Sequence, residues 1–142
     1  MADSLLRVLK FQSVNYPDMM ASERQVAEFL DELGLPWTFE FPVFVYDERK
    51  RPRVWTPDFF IPKLGLYIEV CGSKDFNYKY REKIYRDNSV QIVFLHLYKK
   101  QDYWKKFLCA KIREVEETRH SEAITLIENV SAKIPIQFRR RY

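Results

Sequence analysis

Apolar side chains recur at helical spacing early in the chain. The apolar stripe consists of Val26, Phe29, Leu30 and Leu33. This spacing is typical of a helix that buries one face. Ser22 with Gln25 forms the pattern of a capping box ahead of the stripe, and Gly34 can end the helix behind it. The pattern predicts a first helix over roughly residues 23–33.

The residues that follow have the alternating and β-branched patterns of strands. Residues 37–46 form a long extended stretch, and residues 54–61 form a second strand that Pro57 interrupts. A third apolar run covers residues 66–71. Because the connections between these runs are short, they are predicted to form an antiparallel meander of three strands.

The second half of the chain alternates helical and strand patterns. A helix is predicted over about residues 76–88, followed by a continuous apolar strand over residues 90–98. Since this strand follows a crossover helix, it should lie parallel to a neighbour in the sheet. A further helix contains Trp104 and Phe107 on one stripe. The order α-β-β-β-α-β-α predicts an α/β fold, a mixed sheet flanked by helices, in a single domain over residues 1–142.

The composition is that of a folded globular protein. The 142 residues are 46% hydrophobic and 16% aromatic, a balance that is unlike intrinsic disorder. No apolar run reaches the roughly 18 residues of a membrane span, and the charged N-terminal stretch is unlike a secretion signal. The two cysteines, Cys71 and Cys109, provide no disulfide framework. We therefore expect a soluble, cytoplasmic protein with no membrane partner.

The two signs of charge are unevenly distributed along the chain. Residues 1–48 contain three basic and nine acidic side chains, whereas residues 49–142 contain 21 basic and 11 acidic ones. A basic region beside an acidic one suits a polyanionic partner and a carboxylate cluster. The alternative is a solvated surface on which charge happens to be uneven.

Two carboxylates fall on neighbouring predicted strands. Asp58 lies on the second strand and Glu69 on the third, and a tight turn joins the two strands. Residues directly opposite in such a pair have Cβ atoms about 4.5–5.5 Å apart, and like charges there destabilise the sheet. A divalent cation between them would relieve the repulsion. Carboxylate oxygens suit Mg²⁺ or Mn²⁺.

Glu23 is a third acidic candidate for this cluster. It precedes Val26 and Leu30 at helical spacing, so it projects from the apolar side of the first helix. A carboxylate on such a face is costly unless it is paired or binds a metal. The alternative is that Glu23 only complements the dipole in the first turn of the helix.

These residues together resemble a known family. Pro57-Asp58, followed by a hydrophobic strand with Glu69 and preceded by a helix with Glu23, resembles the PD-(D/E)xK nuclease superfamily. The resemblance covers about residues 22–98 and implies a restriction-endonuclease-like αβββαβ core. Within the superfamily the segment is most similar to very-short-patch-repair-like endonucleases, phage Holliday-junction resolvases and helicase-associated nuclease domains.

The resemblance implies an activity and a set of site residues. It implies a Mg²⁺-dependent (or Mn²⁺-dependent) DNA endonuclease that hydrolyses phosphodiester bonds. The metal would be held by Asp58, Glu69, the carbonyl of Val70 and, through water, Glu23. The implied partners are DNA and either a second copy of the chain or a larger nuclease or helicase assembly.

One position departs from the family pattern. The lysine of the family usually follows the glutamate by two residues, where this chain has Cys71. Lys83 is our first expectation for the replacement, because Tyr78, Lys83 and Tyr85 resemble a pattern in which the lysine has moved to the following helix. Lys74, in the preceding loop, is the second. Each of these lysines could instead be an ordinary solvated side chain.

A run of cations on the turn before the second strand completes the expected site. Its members, which could hold a DNA backbone without reading sequence, are Arg49, Lys50, Arg51 and Arg53. Two other interpretations stay open. In one, the chain is a noncatalytic nucleic-acid-binding or assembly module that kept the nuclease fold and lost its lysine. In the other, Asp58 and Glu69 are structural and are neutralised by Arg53 or another surface cation.

Overall fold

The computed structural model describes residues 18–100 and 102–134. The sequence leaves residues 1–16 open between a helix and a strand and places a basic tail at residues 139–142; both segments lie outside the described residues. None of the described helices is both long enough and apolar enough to cross a membrane.

Within the described residues, three helices form where the sequence predicts them. They are α1 (Ala21–Glu32), α2 (Lys79–Asp87) and α3 (Tyr103–Lys133). Helix α1 ends with Gly34 at φ +69°, a backbone conformation that glycine adopts without strain, which confirms the predicted stop. Helix α3 is long, and its second half, residues 116–133, consists of exposed residues.

The start of α1 differs from the predicted capping box. The N-cap is Met20 and not Ser22, and the carboxylate of Glu23 accepts a hydrogen bond from the Met20 amide at 3.0 Å. Glu23 therefore satisfies one of the amides that every helix leaves open at its N-terminus. The prediction that Ser22 caps the helix with Gln25 is wrong, because the helix begins earlier.

The part of the chain that the structure describes contains six strands, which divide into a sheet and a separate hairpin. The sheet contains β1 (Thr38–Phe39), β4 (Phe59–Ile61), β5 (Leu66–Cys71) and β6 (Ile92–His96), in that order, and the hairpin contains β2 (Val43–Tyr46) and β3 (Pro52–Trp55). Strand β6 lies parallel to β5, whereas the other pairs are antiparallel. The predicted parallel strand is thus confirmed.

The predicted three-stranded meander is wrong, because its first two strands each break in two. Between β1 and β2, Glu40 has φ +56°, and its amide donates to the Asp58 carbonyl at 2.9 Å. Pro42 and Pro57 follow at the two breaks, and neither can donate to a ladder. The inner halves of the predicted strands therefore stay in the sheet, and the outer halves form the hairpin.

Two hydrophobic clusters pack on opposite faces of the sheet. The larger one joins α1 and α3 to the sheet through residues such as Leu30, Ile68 and Leu108. The smaller one joins α2 and the hairpin to the other face, and it consists of Val45, Cys71, Ile84, Tyr85 and Phe94. The molecule is a mixed α/β fold with a mixed sheet flanked by helices, as the sequence predicts. Because side chains alternate along β5, Glu69 shares the face of Cys71.

Candidate active site

The backbone register brings the two predicted carboxylates together. Strands β4 and β5 pair Phe59 with Ile68, so one further step places Asp58 opposite Glu69. At this point a side chain replaces the backbone as hydrogen-bond acceptor, because the Val70 amide donates to Oδ2 of Asp58 at 2.7 Å. This hydrogen bond fixes the Asp58 carboxylate beside the strand that contains Glu69.

The two carboxylates are poorly neutralised. Burial, and after it the charge of Asp58, raises the pKa of Glu69 to about 7. Burial likewise raises the pKa of Asp58 to about 6, although the hydrogen bond from Val70 opposes this change. Within the described part of the chain, Oε2 of Glu69 is buried without a hydrogen-bond partner. An orphaned buried oxygen is unfavourable and is the kind of group that a cation satisfies.

Among the residues that the structure describes, the cation that reaches the pair is Arg81 on α2. Its Nη1 donates to Oε1 of Glu69 at 2.9 Å, and its guanidinium carbon lies 5.6 Å from the ring centroid of Phe76. The charge of Arg81 lowers the pKa of Asp58 and of Glu69, but burial outweighs it at both. A single arginine therefore leaves the two carboxylates short of positive charge.

The lysines predicted for the site lie elsewhere. The amine of Lys83 donates to Oδ2 of Asp87 at 3.2 Å on the exposed side of α2. Lys74 is exposed in the loop between β5 and α2, and within residues 18–100 and 102–134 it makes no ion pair. In this structure Lys83 bonds to Asp87, and the cation that bonds to Glu69 is Arg81.

Cys71 does not replace the family lysine as a charged group. The residue is fully buried, and its Sγ lies 3.9 Å from the Glu69 carbonyl oxygen. Burial, with the charge of Glu69 adding to it, raises the pKa of the thiol to about 12. The side chain is therefore a neutral thiol near neutral pH, and it serves neither as a cation nor as a nucleophile.

Glu23 stands beside the pair without joining it. Its negative charge raises the pKa of both Asp58 and Glu69, but its carboxylate is bound to the Met20 amide at the start of α1. No group of three or more His, Cys, Asp or Glu side chains among the described residues is arranged to hold a metal ion. The helix-capping role, the alternative that the sequence offered, is the one that this structure shows for Glu23.

Two residues of the site were missed in the sequence. One is Arg81, and the other is Glu40, whose charge raises the pKa of Asp58. The spacing of α2 contains the signal for Arg81, because Tyr78, Arg81 and Tyr85 lie three and four positions apart. Tyr85 is buried against the sheet, so Arg81 on the same face points to the sheet as well.

The predicted DNA-binding turn is partly occupied by its own anion. Asp47 accepts hydrogen bonds from the amides of Arg49 and Arg51, both at 2.9 Å. It also accepts from Nε of Arg51 at 3.1 Å and of Arg53 at 3.2 Å. The backbone hydrogen bond from Arg51, helped by Arg53 and Arg49, lowers the pKa of Asp47 to about 2. Arg53 is therefore bound to Asp47. Of the alternative in which Arg53 or another cation engages Asp58 and Glu69, the structure shows the second form, because Arg81 bonds to Glu69.

The remaining two cations of the turn face the solvent. Arg49 and Lys50 are exposed, and neither forms an ion pair with any residue that the structure describes. Lys50 has φ +62°, which is the left-handed conformation of a tight turn. These two side chains present free positive charge at the tip of the hairpin.

The donor chemistry of Asp58 and Glu69 fits a hard divalent cation. Both offer carboxylate oxygens, and one of them, Oε2 of Glu69, has no other partner in the described part of the molecule. Mg²⁺ commonly takes one or two carboxylates and completes its octahedral shell with water and substrate phosphate. Two carboxylates therefore suffice for such a site, without Glu23.

Comparisons with known proteins give one structural likeness. No protein-family model matches the chain, and no curated protein matches it. Among solved structures, the 5-hydroxymethylcytosine-specific restriction enzyme AbaSI is similar at 16% identity and a TM-score of 0.45 over 96% of this chain. The chain spans 53% of that enzyme, about half of its length. An overall similarity at this level does not identify a reaction or a substrate.

Proposed function

We propose that this chain is a metal-dependent DNA endonuclease of the PD-(D/E)xK type. The observation that carries the proposal is the pair of carboxylates, Asp58 and Glu69, held opposite each other on adjacent strands with too little positive charge between them. A stable fold gains nothing from such a pair. Perturbed carboxylates that share a site are typical of catalytic centres.

Asp58, Glu69 and the carbonyl of Val70 would hold Mg²⁺ or Mn²⁺, with Glu23 acting through water. Such a cation polarises a phosphodiester oxygen and lowers the pKa of a bound water. The Val70 amide holds the Asp58 carboxylate in place from the strand backbone. This bond keeps the carboxylate oriented before substrate arrives, and preorganised groups need no rearrangement during the reaction.

Arg81 is proposed to supply the positive charge that the resemblance assigns to a lysine. Its guanidinium reaches Glu69 directly, and the side chain is 43% exposed, so one side of the fork is open to solvent. A phosphate oxygen placed there would accept hydrogen bonds from a cation that is always charged. The expected contribution is stabilisation of negative charge that develops on the phosphate.

The test is a cleavage assay on linear and branched DNA with Mg²⁺ or Mn²⁺, comparing the wild type with Asp58→Asn and Glu69→Gln. Asparagine retains an oxygen that can accept from the Val70 amide, so the fold should survive. Each variant should lose cleavage by about 10²-fold or more. Mn²⁺ binding, measured by calorimetry without DNA, should be lost in parallel. Unchanged cleavage or unchanged Mn²⁺ binding in both variants would contradict the proposal.

A second candidate is a noncatalytic nucleic-acid-binding module. The observation in its favour is the neutral, buried Cys71 at the position where the family has its lysine. In that case the wild type binds DNA in a salt-dependent manner and cleaves none of the substrates with either metal. The cleavage assay therefore separates the two candidates, and a DNA-binding titration at increasing salt tests the second.

A further inference from the structure

Strand β6 has an open edge. It is the last strand of the sheet, paired with β5 on one side, and no other described strand pairs with it. The amide of Leu97 and the carbonyl of Gln91 bond to β5, so the odd-numbered residues face that strand. The amides of Ile92, Phe94 and His96 and the carbonyls of Ile92 and Phe94 point away from β5, because backbone groups alternate along a parallel strand. The His96 carbonyl accepts a hydrogen bond from the Lys99 amide at 3.4 Å.

A groove runs along this edge. Its volume is about 790 Å³, and residues 89–94 with His96 line one side of it. Glu82 and Arg86 of α2 and Phe107 and Lys111 of α3 form the walls. The two helices therefore flank the open edge without covering it.

The groove has a basic rim and one unsatisfied polar atom. The charged residues that line it are Glu82, Arg86, Lys99 and Lys111, three cations against one anion. Lys111 also forms an ion pair with Glu114 at 3.5 Å, so Arg86 and Lys99 carry most of the excess positive charge. Nδ1 of His96 is buried, and no residue of the described ranges bonds to it. The edge therefore offers hydrogen-bonding groups in a strand pattern, with an excess of positive charge around them.

We propose that this groove binds an extended, acidic peptide segment of a partner protein, which adds to the sheet as a strand beside β6. Backbone hydrogen bonds to Ile92, Phe94 and His96 would give affinity, and the rim cations would select acidic side chains. A segment of about five residues covers the strand, since a strand rises about 3.3 Å per residue.

The charges favour this occupant over two others. A second copy of the chain, paired edge to edge, would place Arg86, Lys99 and Lys111 near their own equivalents, where like charges repel. Duplex DNA could bind the cations, but its phosphates only accept hydrogen bonds and so cannot pair with both the amides and the carbonyls of a strand edge. An acidic peptide satisfies both features.

The probe is a synthetic peptide of about six residues, the usual strand length, with alternating valine and glutamate. Binding to the isotope-labelled protein is followed by NMR, together with amide hydrogen exchange. Bound peptide should slow exchange at Ile92, Phe94 and His96, because these amides point toward the added strand. The protein with Arg86→Glu and Lys111→Glu should bind the peptide about tenfold more weakly or worse.

Two controls make the result specific. Lys79→Glu with Lys106→Glu reverses the same number of charges on exposed helix positions that do not line the groove, and peptide binding should be unchanged. A peptide in which lysine replaces glutamate should bind much more weakly. Absence of binding at about 1 mM peptide, binding without protection of the three amides, or duplex DNA protecting the same amides would overturn the proposal.

Discussion

Asp47 and Asp58 are two aspartates in opposite electrostatic situations. Asp47, in the turn of the hairpin, is 6% exposed and accepts two backbone and two guanidinium hydrogen bonds, and its pKa is lowered to about 2. Asp58, at the end of the sheet, accepts one backbone hydrogen bond beside Glu69, and its pKa is raised to about 6. The first carboxylate is compensated by its surroundings, whereas the second is not.

The difference separates a structural anion from a candidate functional one. A buried carboxylate that is fully hydrogen-bonded holds a turn together and has no unsatisfied bonding capacity for a ligand. Asp58 instead lies beside Glu69, whose Oε2 is unpaired within the described residues; such a pair makes the fold less stable but can bind a cation. Of the four cations that the sequence expects to hold DNA on this turn, Arg51 and Arg53 are engaged by Asp47.

The largest expected effect comes from exchanging each aspartate for asparagine. Asp58→Asn should reduce the cleavage rate by about 10²-fold or more. It should also raise the melting temperature at pH 8, because it removes one of two charges that repel each other. Asp47→Asn should lower the melting temperature, because Arg51 and Arg53 lose their counter-charge, and the folded protein should keep its cleavage rate. Thermal unfolding and cleavage assays at one pH give both quantities.

The distinction between the two aspartates depends on the two variants having opposite effects on melting temperature and on cleavage. If Asp58→Asn also lowers the melting temperature at pH 8, then Asp58 is a structural anion of the same kind as Asp47. A loss of cleavage in the Asp47 variant, measured per folded molecule, would equally remove the distinction between the two sites.

The next effect concerns the cation beside the pair. Arg81→Ala should reduce cleavage by about 10²-fold, the scale for removal of one stabilising donor, with a larger change in kcat than in KM. It should also raise the pKa of Glu69 further, which titration by NMR can follow. Lys83→Ala, which removes an exposed cation bound to Asp87, is the matched control and should cleave at the wild-type rate. Equal rates in both variants would leave Arg81 without a role.

The sequence predicts the pairing of Asp58 with Glu69 because that pairing is local. A tight turn at residues 62–65 joins β4 to β5, and the turn fixes the register of the two strands. The helices are also predictable from their apolar spacing and from Gly34. These features depend on neighbours in the chain, so a single sequence is enough to find them.

Other features depend on contacts between distant segments. The first predicted strand divides at Glu40 because β1 pairs with β4 in the sheet, whereas β2 pairs with β3 in the hairpin. The alternating pattern of the sequence would be the same if the strand were continuous. The expectation for Lys83 rests on a family pattern and does not consider Arg81, although residues two apart on a helix point about 160° apart. The buried face of α2, marked by Tyr85, decides between them, and that face depends on how the helix packs against the sheet.

The two aspartate sites should also give opposite dependences of stability on pH. The raised pKa values of Asp58 and Glu69 mean that their favourable contribution is complete below their ordinary values of 3.8 and 4.5 and is lost as the pH rises through about 6 and 7. The lowered pKa of Asp47 gives a contribution that is present above 3.8 and is lost as the pH falls through about 2.

Urea unfolding in the presence of a chelator measures this dependence. The free energy of unfolding of the wild type, relative to the double variant Asp58→Asn/Glu69→Gln, should fall between about pH 4 and about pH 7. The wild type relative to Asp47→Asn should instead show its change only at acid pH. If the difference in the free energy of unfolding between the wild type and the double variant stays constant across neutral pH, then folding does not raise the pKa values of the two carboxylates.

The smallest expected effect tests whether free and engaged cations of the hairpin differ in DNA binding. Each phosphate contact that is lost should reduce the slope of log K against log salt by about one. Arg49→Ala with Lys50→Asn removes two unpaired charges and keeps a residue that tolerates positive φ at position 50. This variant should therefore reduce the slope by about two.

The control is Arg51→Ala. Because the Arg51 side chain is already bound to Asp47, this variant should change the slope less and the melting temperature more. If Arg51→Ala reduces the slope as much as Arg49→Ala alone, then DNA competes successfully with Asp47, and the turn is not the self-contained structural unit that its hydrogen bonds indicate.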